Sequence, residues 1–300
     1  MQVKILAAAL LQTTVLQMRL LRVLYKGASY KDEEGILMKK KIALIQMDVA
    51  MAEPDKNYAH AAELMEKAME EKPDILVLPE TLNVGFFPTE NLKELSDADG
   101  AKTKEIFGGF AKKHGVNIVA GSVANVKNDA VYNTAYVFNR EGECVCEYDK
   151  VHGFTPSNEH EYFKGGTEIK LFKLDGISCS MVICYDVRFP ELIRTATVQG
   201  VDLFFIPAQW PLIRKLHWVT LNTARAIENQ MYLCAVNGCG YAGEAKYGGN
   251  SLLISPWGEE ICHLGTEEEI QVGEIDLDVI KGIRESINVF RDRKPEYYHI

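Results

Sequence analysis

Three positions in this sequence place a side chain that can do chemistry directly after a predicted strand. Glu80 follows Leu76-Val77-Leu78-Pro79, Lys150 follows Tyr148-Asp149, and Cys184 follows Met181-Val182-Ile183. A thiol needs help to react at neutral pH, because its ordinary pKa is about 8.5. A neighbouring carboxylate can take the proton while the sulfur attacks an electrophilic carbon. The sequence therefore contains the side chains needed for covalent catalysis by a thiol.

Each of the three residues also has an ordinary structural explanation. A glutamate after a strand is commonly a surface or capping residue, and a lysine after a hairpin strand is commonly solvated. A cysteine after an apolar run is commonly a small core residue. Because α/β sheets build their sites at the ends of strands, the elements that precede these residues decide between the two interpretations.

Apolar runs and helical periodicity alternate along the chain, which is typical of sheets covered by helices. Strands are predicted at residues 42–47, 74–79, 116–123, 131–139, 143–148, 169–174, 177–183, 201–206, 231–237, 251–255 and 271–275. Helices are predicted at residues 54–72, 103–114, 191–199 and 216–229. No linker, repeat or low-complexity stretch divides residues 38–300. We therefore expect one α/β domain over residues 38–300.

Composition and charge exclude several classes of protein. The chain has 42 acidic and 33 basic side chains and a net charge of −9, and we find no basic stripe for a nucleic acid. No apolar stretch is long enough to cross a membrane. The seven cysteines are an odd number without metal-ligand spacing. They are typical of reduced thiols in a cytoplasmic protein.

The first 37 residues differ from the rest of the chain. They lack the strand and helix alternation that begins at Lys39, and residues 1–30 contain basic but no acidic side chains. A basic amphipathic helix or a transit-like leader is one interpretation. We favour a dispensable extension, since Met38 precedes the first convincing strand.

The segments around Glu80, Lys150 and Cys184 resemble the catalytic segments of the nitrilase superfamily of carbon–nitrogen hydrolases, in the same order. The resemblance extends from Lys39 to Tyr298. It implies a four-layer α-β-β-α sandwich, a homodimer and a reaction without metal or organic cofactor. It also implies that Cys184 is the nucleophile and Glu80 the general base and acid. Lys150 and the backbone N–H of Tyr185 would stabilise the oxyanion.

A second glutamate commonly lies between the lysine and the cysteine in this superfamily. Both Glu159 and Glu161 occupy that stretch, and alignment on the following glycines favours Glu159. Its expected task is to hold Lys150 and orient the attacking water. Two further residues after Cys184 match the superfamily's pattern. We interpret Glu191 as a helix-start residue, and Arg188 either as a structural ion-pair partner or as a substrate-binding residue.

The blocks at residues 207–230 and 287–298 resemble the omega-amidase branch, which hydrolyses the terminal amide of 2-oxo acid amides such as 2-oxoglutaramate. Such a substrate has a carboxylate at its other end, and a buried carboxylate needs a cationic or multi-donor partner. Arg188 is the candidate cation, with Trp210 and Tyr241 as possible added donors. By the same resemblance, we expect the tail at residues 286–300 to run along a dimer partner.

Other functions stay open at this point. Related branches cleave N-carbamoyl compounds, short aliphatic amides or nitriles, and a protein with this fold could also be a non-catalytic binding scaffold. A dinucleotide site is less favoured, although Gly238-Cys239-Gly240-Tyr241-Ala242-Gly243 matches the spacing G-x-G-x-x-G. That motif must open a helix, whereas here it continues into a loop-like stretch.

Overall fold

A computed structural model describes residues 39–86 and 88–299 of the chain. The predicted extension at residues 1–37 lies outside the described residues. Fifteen strands and nine α-helical segments are found in the described part. The strands are β1 (Lys39–Gln46), β2 (Ile75–Val77), β3 (Asp97–Ala98), β4 (Asn117–Lys127), β5 (Ala130–Phe138), β6 (Cys144–Asp149), β7 (Leu171–Leu174), β8 (Ile177–Met181), β9 (Leu203–Ala208), β10 (Tyr232–Asn237), β11 (Tyr241–Ala242), β12 (Ala245–Lys246), β13 (Leu252–Ile254), β14 (Glu260–His263) and β15 (Glu269–Asp276).

Two large sheets are built on the same plan. The first has the order β15-β1-β2-β4-β5-β6, with β3 paired to β4, and the second has the order β14-β13-β10-β9-β8-β7. In each sheet three central strands are parallel, namely β1, β2 and β4 in the first and β8, β9 and β10 in the second. The flanking pairs β1–β15 and β7–β8 are antiparallel. Because the central strands are parallel, their C-terminal ends lie at the same edge of each sheet. Binding and active sites commonly form at that edge.

The helices are α1 (Pro54–Ala68), α2 (Leu92–Leu95), α3 (Ala101–Thr103), α4 (Gly109–His114), α5 (Glu159–Tyr162), α6 (Pro190–Thr197), α7 (Lys215–Asn229), α8 (Asp278–Ser286) and α9 (Val289–Asp292). A π-helical segment, Lys104–Gly108, joins α3 to α4, and a 3₁₀ turn, Cys184–Arg188, follows β8. None of the described helices is long and apolar enough to cross a membrane.

Burial on both faces of the central strands explains their nearly continuous apolar runs. On β1, Ile42 and Leu44 belong to the core between the two sheets, which they share with Phe205 of β9. The alternate residue Ile45 belongs to the core under the outer helices, together with Met65 of α1. The helices α6 and α7 cover the other sheet in the same way. The fold is therefore the expected four-layer α-β-β-α sandwich.

All predicted strands and helices are present, with their ends shifted by a few residues, but several short elements were missed. Strand β14 buries one of its four residues, and α8 buries only Ile280 and Ile283. Such edge elements carry too little apolar periodicity to be read from sequence. The glycine-rich stretch at residues 238–243 leads into the β11–β12 hairpin rather than a helix. This confirms that it lacks the helix a dinucleotide site requires.

The buried cysteines lead to a prediction about stability at alkaline pH. Six of the seven cysteines are buried, and burial raises the pKa of Cys146 and Cys239 to about 12 and that of Cys262 to about 11. Above about pH 8.5 the unfolded thiols lose protons that the folded protein keeps, so the free energy of unfolding falls as pH rises. Each thiol contributes a slope of about 1.4 kcal/mol per pH unit.

Urea unfolding under reducing conditions between pH 7 and pH 10 measures this slope. We expect the Cys262→Ala variant to lose stability less steeply with pH than the wild type. The exposed Cys144 provides the control, because Cys144→Ala should change the slope less. A free energy of unfolding that stays constant up to pH 10 would contradict the prediction.

Candidate active site

The position of Glu80 depends on close contact between two strands of the first sheet. Gly121 on β4 has a φ of +61°, and a Cβ there would lie 1.8 Å from the carbonyl oxygen of Pro79. Only glycine allows this approach. The next residue, Ser122, donates its N–H to the Pro79 carbonyl over 3.2 Å and accepts the Thr81 N–H on Oγ over 2.9 Å. The turn that carries Glu80 is therefore fixed on both sides.

The Glu80 carboxylate is fully buried and fixed by three donors. Its Oε1 accepts hydrogen bonds from Lys150 Nζ and from Asn133 Nδ2, both over 2.8 Å. Its Oε2 accepts the backbone N–H of Gln209 over 2.7 Å. Gln209 directly follows β9 of the second sheet, so this carboxylate links the two sheets at the edge where their strands end.

Cys184 begins the 3₁₀ turn after β8 and has a φ of +47°, in the left-handed region. A non-glycine residue at positive φ is strained, and such strain recurs where a sharp turn aims a nucleophile. The buried Asp186 stabilises this turn. Its Oδ2 accepts the Ile183 N–H over 3.1 Å and the Tyr148 hydroxyl over 2.7 Å, and its Oδ1 accepts the His152 N–H over 2.9 Å.

The surroundings of Cys184 keep its thiol protonated in the resting protein. Burial is the main cause that raises its pKa well above the ordinary value, and the negative charge of Glu80 adds to the rise. The Lys150 charge acts in the opposite direction, and a hydrogen bond to Glu80 raises the pKa further. The thiol therefore has its proton acceptor beside it and loses its proton only as it reacts.

Lys150 follows β6 and lies between two carboxylates. Its Nζ is 2.8 Å from Glu80 Oε1 and 2.8 Å and 2.9 Å from the two oxygens of Glu159. Burial by itself lowers the pKa of Lys150, but Glu80, Glu159 and Cys184 raise it well above the ordinary value. The ammonium group is therefore charged, and it is fixed beside the thiol.

Of the two glutamates predicted for the accessory position, the structure brings Glu159 to Lys150. Glu159 is 1% exposed, and its Oε2 also accepts the Phe154 N–H over 2.7 Å. Glu161 is exposed on the other side of α5. Glu80, Lys150, Cys184 and Glu159 thus form one buried cluster, which we call the Glu-Lys-Cys cluster.

Three residues that support this cluster, Asn133, Gln209 and Asp186, were not predicted from the sequence. Asn133 donates to Glu80 and, over 3.4 Å, to Glu159 Oε1. Gln209 fixes Glu80, and Asp186 fixes the turn at Cys184. A signal for Asn133 was present, since Asn133 and Thr134 interrupt an otherwise apolar strand. No sequence pattern indicated Gln209, because its contact with Glu80 joins residues 129 positions apart.

The predicted substrate-binding residues lie around Tyr185, the residue after the thiol. The Arg188 guanidinium is 4.7 Å from the centroid of the Trp210 ring and 6.0 Å from that of Tyr185. Arg188 forms no salt bridge with the described residues 39–86 and 88–299 and lies against these two aromatic rings instead. The indole N–H of Trp210 donates to the Arg214 carbonyl over 2.9 Å. Trp210 therefore has no free donor for a substrate.

The predicted donor Tyr241 and a tyrosine that was not predicted, Tyr247, differ in their relation to the cluster. Tyr241, suggested as a donor, is 61% exposed and lines a surface groove with Asp48 and His60. Tyr247 is 3% exposed, and its hydroxyl has no hydrogen-bond partner in the described part of the chain. Burial is the main cause that raises the pKa of Tyr247, and the charges of Glu80 and Cys184 raise it further. Tyr247 thus lies beside the cluster, whereas Tyr241 belongs to another surface.

Within the described residues, no group of three or more histidine, cysteine, aspartate or glutamate side chains is arranged to hold a metal ion. The carboxylates of the cluster instead accept hydrogen bonds from protein donors.

The fold and the cluster define a carbon–nitrogen hydrolase. The chain belongs to that family, whose model matches residues 41–285. It is 44% identical to the 2-oxoglutaramate amidase of Bacillus subtilis (strain 168), over 87% of this chain and 100% of the relative. It is 29% identical to an omega-amidase of Xenopus laevis, over 88% of this chain and 98% of the relative.

A solved structure shares the same architecture. A CN-hydrolase superfamily protein from Xanthomonas campestris, with an arsenic adduct in its active site, has a TM-score of 0.80 and 27% sequence identity to this chain. The likeness covers 86% of this chain and 98% of the other. These similarities confirm the expected superfamily and its fold.

Proposed function

We propose that this enzyme hydrolyses the terminal amide of a small amide with a carboxylate at its other end, such as 2-oxoglutaramate. The observation that carries this proposal is the buried contact of Glu80, Lys150 and Cys184, in a chain 44% identical to a 2-oxoglutaramate amidase. The proposed reaction releases ammonia and proceeds through a thioester on Cys184.

In the first half of the reaction, Glu80 takes the proton of the thiol as Cys184 attacks the amide carbon. The carbonyl oxygen becomes an oxyanion, which Lys150 Nζ and the backbone N–H of Tyr185 stabilise. The Tyr185 N–H lies in the first turn of the 3₁₀ segment, where N–H groups lack partners within the helix. The C–N bond then breaks, and Glu80 gives the proton to the departing ammonia.

In the second half, Glu80 takes a proton from a water molecule that attacks the thioester carbon. The same two donors stabilise the second oxyanion. The C–S bond breaks, the sulfur regains a proton from Glu80, and the product leaves as a carboxylic acid, which loses its remaining proton to solvent at neutral pH. Glu159 and Asn133 keep Lys150 and Glu80 in place through both halves.

A substrate panel tests the proposed activity. We expect 2-oxoglutaramate and succinamate to have far higher kcat/KM values than butyramide, N-carbamoyl amino acids and simple nitriles, with ammonia release as the measurement. A site built to pair a charged end rejects neutral analogues strongly. If butyramide or an N-carbamoyl amino acid gives the highest kcat/KM, the omega-amidase assignment is wrong and another branch of the family applies.

The accessory role of Glu159 has a matched control within the same short helix. We expect Glu159→Gln to lower kcat about 10- to 100-fold, since hydrogen bonds to charged groups contribute about 1.5–3 kcal/mol. Glu161→Gln removes an exposed carboxylate two positions away and should leave kcat unchanged. Equal kcat values for the two variants would contradict a role for Glu159 in holding Lys150.

We propose that residues 38–300 carry the activity and that residues 1–37 are dispensable for it. The family match at residues 41–285 supports this division. Deletion of residues 1–37 should leave kcat/KM and the melting temperature unchanged. A drop of many degrees in melting temperature would show instead that the segment packs on the domain.

We further propose a cytoplasmic homodimer. All seven cysteines are free thiols, which suits a reducing compartment. The outer helices and the tail also expose large apolar side chains that a second copy could cover: Val198, Ile227, Ile287, Tyr297 and Tyr298. Sedimentation of the purified protein tests the dimer.

A further inference from the structure

Two guanidinium groups, those of Arg188 and Arg214, lie near enough to repel each other, and a closed set of contacts holds each of them in place. Arg188 lies over the Trp210 ring, and Arg214 lies 5.0 Å from the centroid of the Phe154 ring. Phe154 meets Tyr185 edge to face at 5.1 Å, and Arg188 lies over Tyr185. The hydrogen bond from Trp210 Nε1 to the Arg214 carbonyl closes the set. We call these five residues the arginine rim.

The arginine rim is connected directly to the reacting groups. Tyr185 follows Cys184 in the chain, and Phe154 donates its N–H to Glu159. Trp210 follows Gln209, whose N–H donates to Glu80. The arginine rim is therefore adjacent to the residues that carry and position the reacting groups.

The two cations lack anionic partners in the described chain. Neither Arg188 nor Arg214 forms a salt bridge with residues 39–86 or 88–299, although the protein carries 42 acidic side chains. Arg188 Nη2 instead lies 3.2 Å from Nδ1 of the exposed His217. Burial lowers the pKa of Arg188, and the like charge of Arg214 lowers it further. An anion bound between the two groups would relieve this repulsion.

Building on the proposed function, we propose that Arg214, together with Arg188, binds the distal carboxylate of the substrate and sets the preference for dicarboxylate monoamides. Planar guanidinium groups pair with carboxylates through two parallel hydrogen bonds. Two such groups offer more donors than one carboxylate needs, so an adjacent 2-oxo oxygen can accept from the second. An ammonium group at that position, as in glutamine, is repelled by both.

The test compares Arg214→Gln with Lys215→Gln, which removes the neighbouring exposed cation. Succinamate and butyramide are the probes, because they differ in having a carboxylate or a methyl group at the distal end. We expect Arg214→Gln to lower the ratio of their kcat/KM values at least tenfold, because succinamate loses a partner for its carboxylate and butyramide has no carboxylate to lose one. Lys215→Gln should keep the wild-type ratio, and Arg214→Lys should restore part of it.

The possible failures are distinguishable. If the wild type prefers succinamate and Arg214→Gln keeps that preference, the role of Arg214 is overturned while the proposed function stands. If Arg214→Gln lowers turnover of both amides equally, Arg214 supports the fold of the rim and does not recognise the carboxylate. If the wild type itself prefers butyramide, the proposed function fails and this inference fails with it.

Discussion

Replacement of Cys184 by alanine should lower kcat about 10⁴-fold or more, because no other described side chain can take its place in the thioester. The residue lies at the start of a strained turn, next to both Glu80 and Lys150. Loss of the sulfur leaves the oxyanion donors intact but removes the bond-forming atom. Ammonia release from the preferred amide is the measurement.

Cys144 provides the control for this experiment, since it is the exposed cysteine. Cys144→Ala should keep wild-type turnover. Mass spectrometry of wild-type enzyme quenched during turnover should find the acyl group on the peptide that contains Cys184. An acyl adduct on a different cysteine, with activity retained in Cys184→Ala, would falsify the assignment of the nucleophile.

Replacement of Glu80 by glutamine should lower kcat and kcat/KM at least about 100-fold, as expected for loss of a general base. The amide is nearly isosteric, and its single oxygen can still accept from Lys150 and Asn133, whereas its NH2 cannot accept the Gln209 N–H. We therefore expect the fold to persist with lower stability. A second effect distinguishes this role from a structural one. Because Glu80 raises the pKa of Cys184, its removal should shift the pH midpoint for alkylation of Cys184 by iodoacetamide to lower pH.

The exposed Glu90 gives the matched control. Glu90→Gln should leave both turnover and the alkylation midpoint at their wild-type values. If Glu80→Gln lost activity without any change in the alkylation midpoint, the carboxylate would act on the fold of the site and not on the thiol proton.

The family motifs limited the accessory carboxylate to two candidate residues. Only the packing of the folded chain shows which of the two contacts Lys150. Glu159 and Glu161 are both acidic and lie two positions apart. The structure buries the first against Lys150 and leaves the second in solvent, because Asn158 turns the chain in the left-handed conformation just before α5. The sequence also left open whether Arg188 is a structural ion-pair partner or a substrate-binding residue. The reason is similar, since its neighbours Trp210 and Arg214 come from a different part of the chain.

The positions of the central strands and helices along the chain could be predicted from its apolar pattern, and Glu80, Lys150 and Cys184 from segments that resemble those of the superfamily. Continuous apolar runs are imposed by burial on both faces of a sheet, and the reactive residue types follow those runs directly. Only the tertiary structure determined which side chains support the cluster. The contacts of Asn133, Gln209 and Arg214 join residues far apart in the chain. Such contacts are set by the pairing of strands within a sheet and by the packing of the two sheets, which local patterns do not encode.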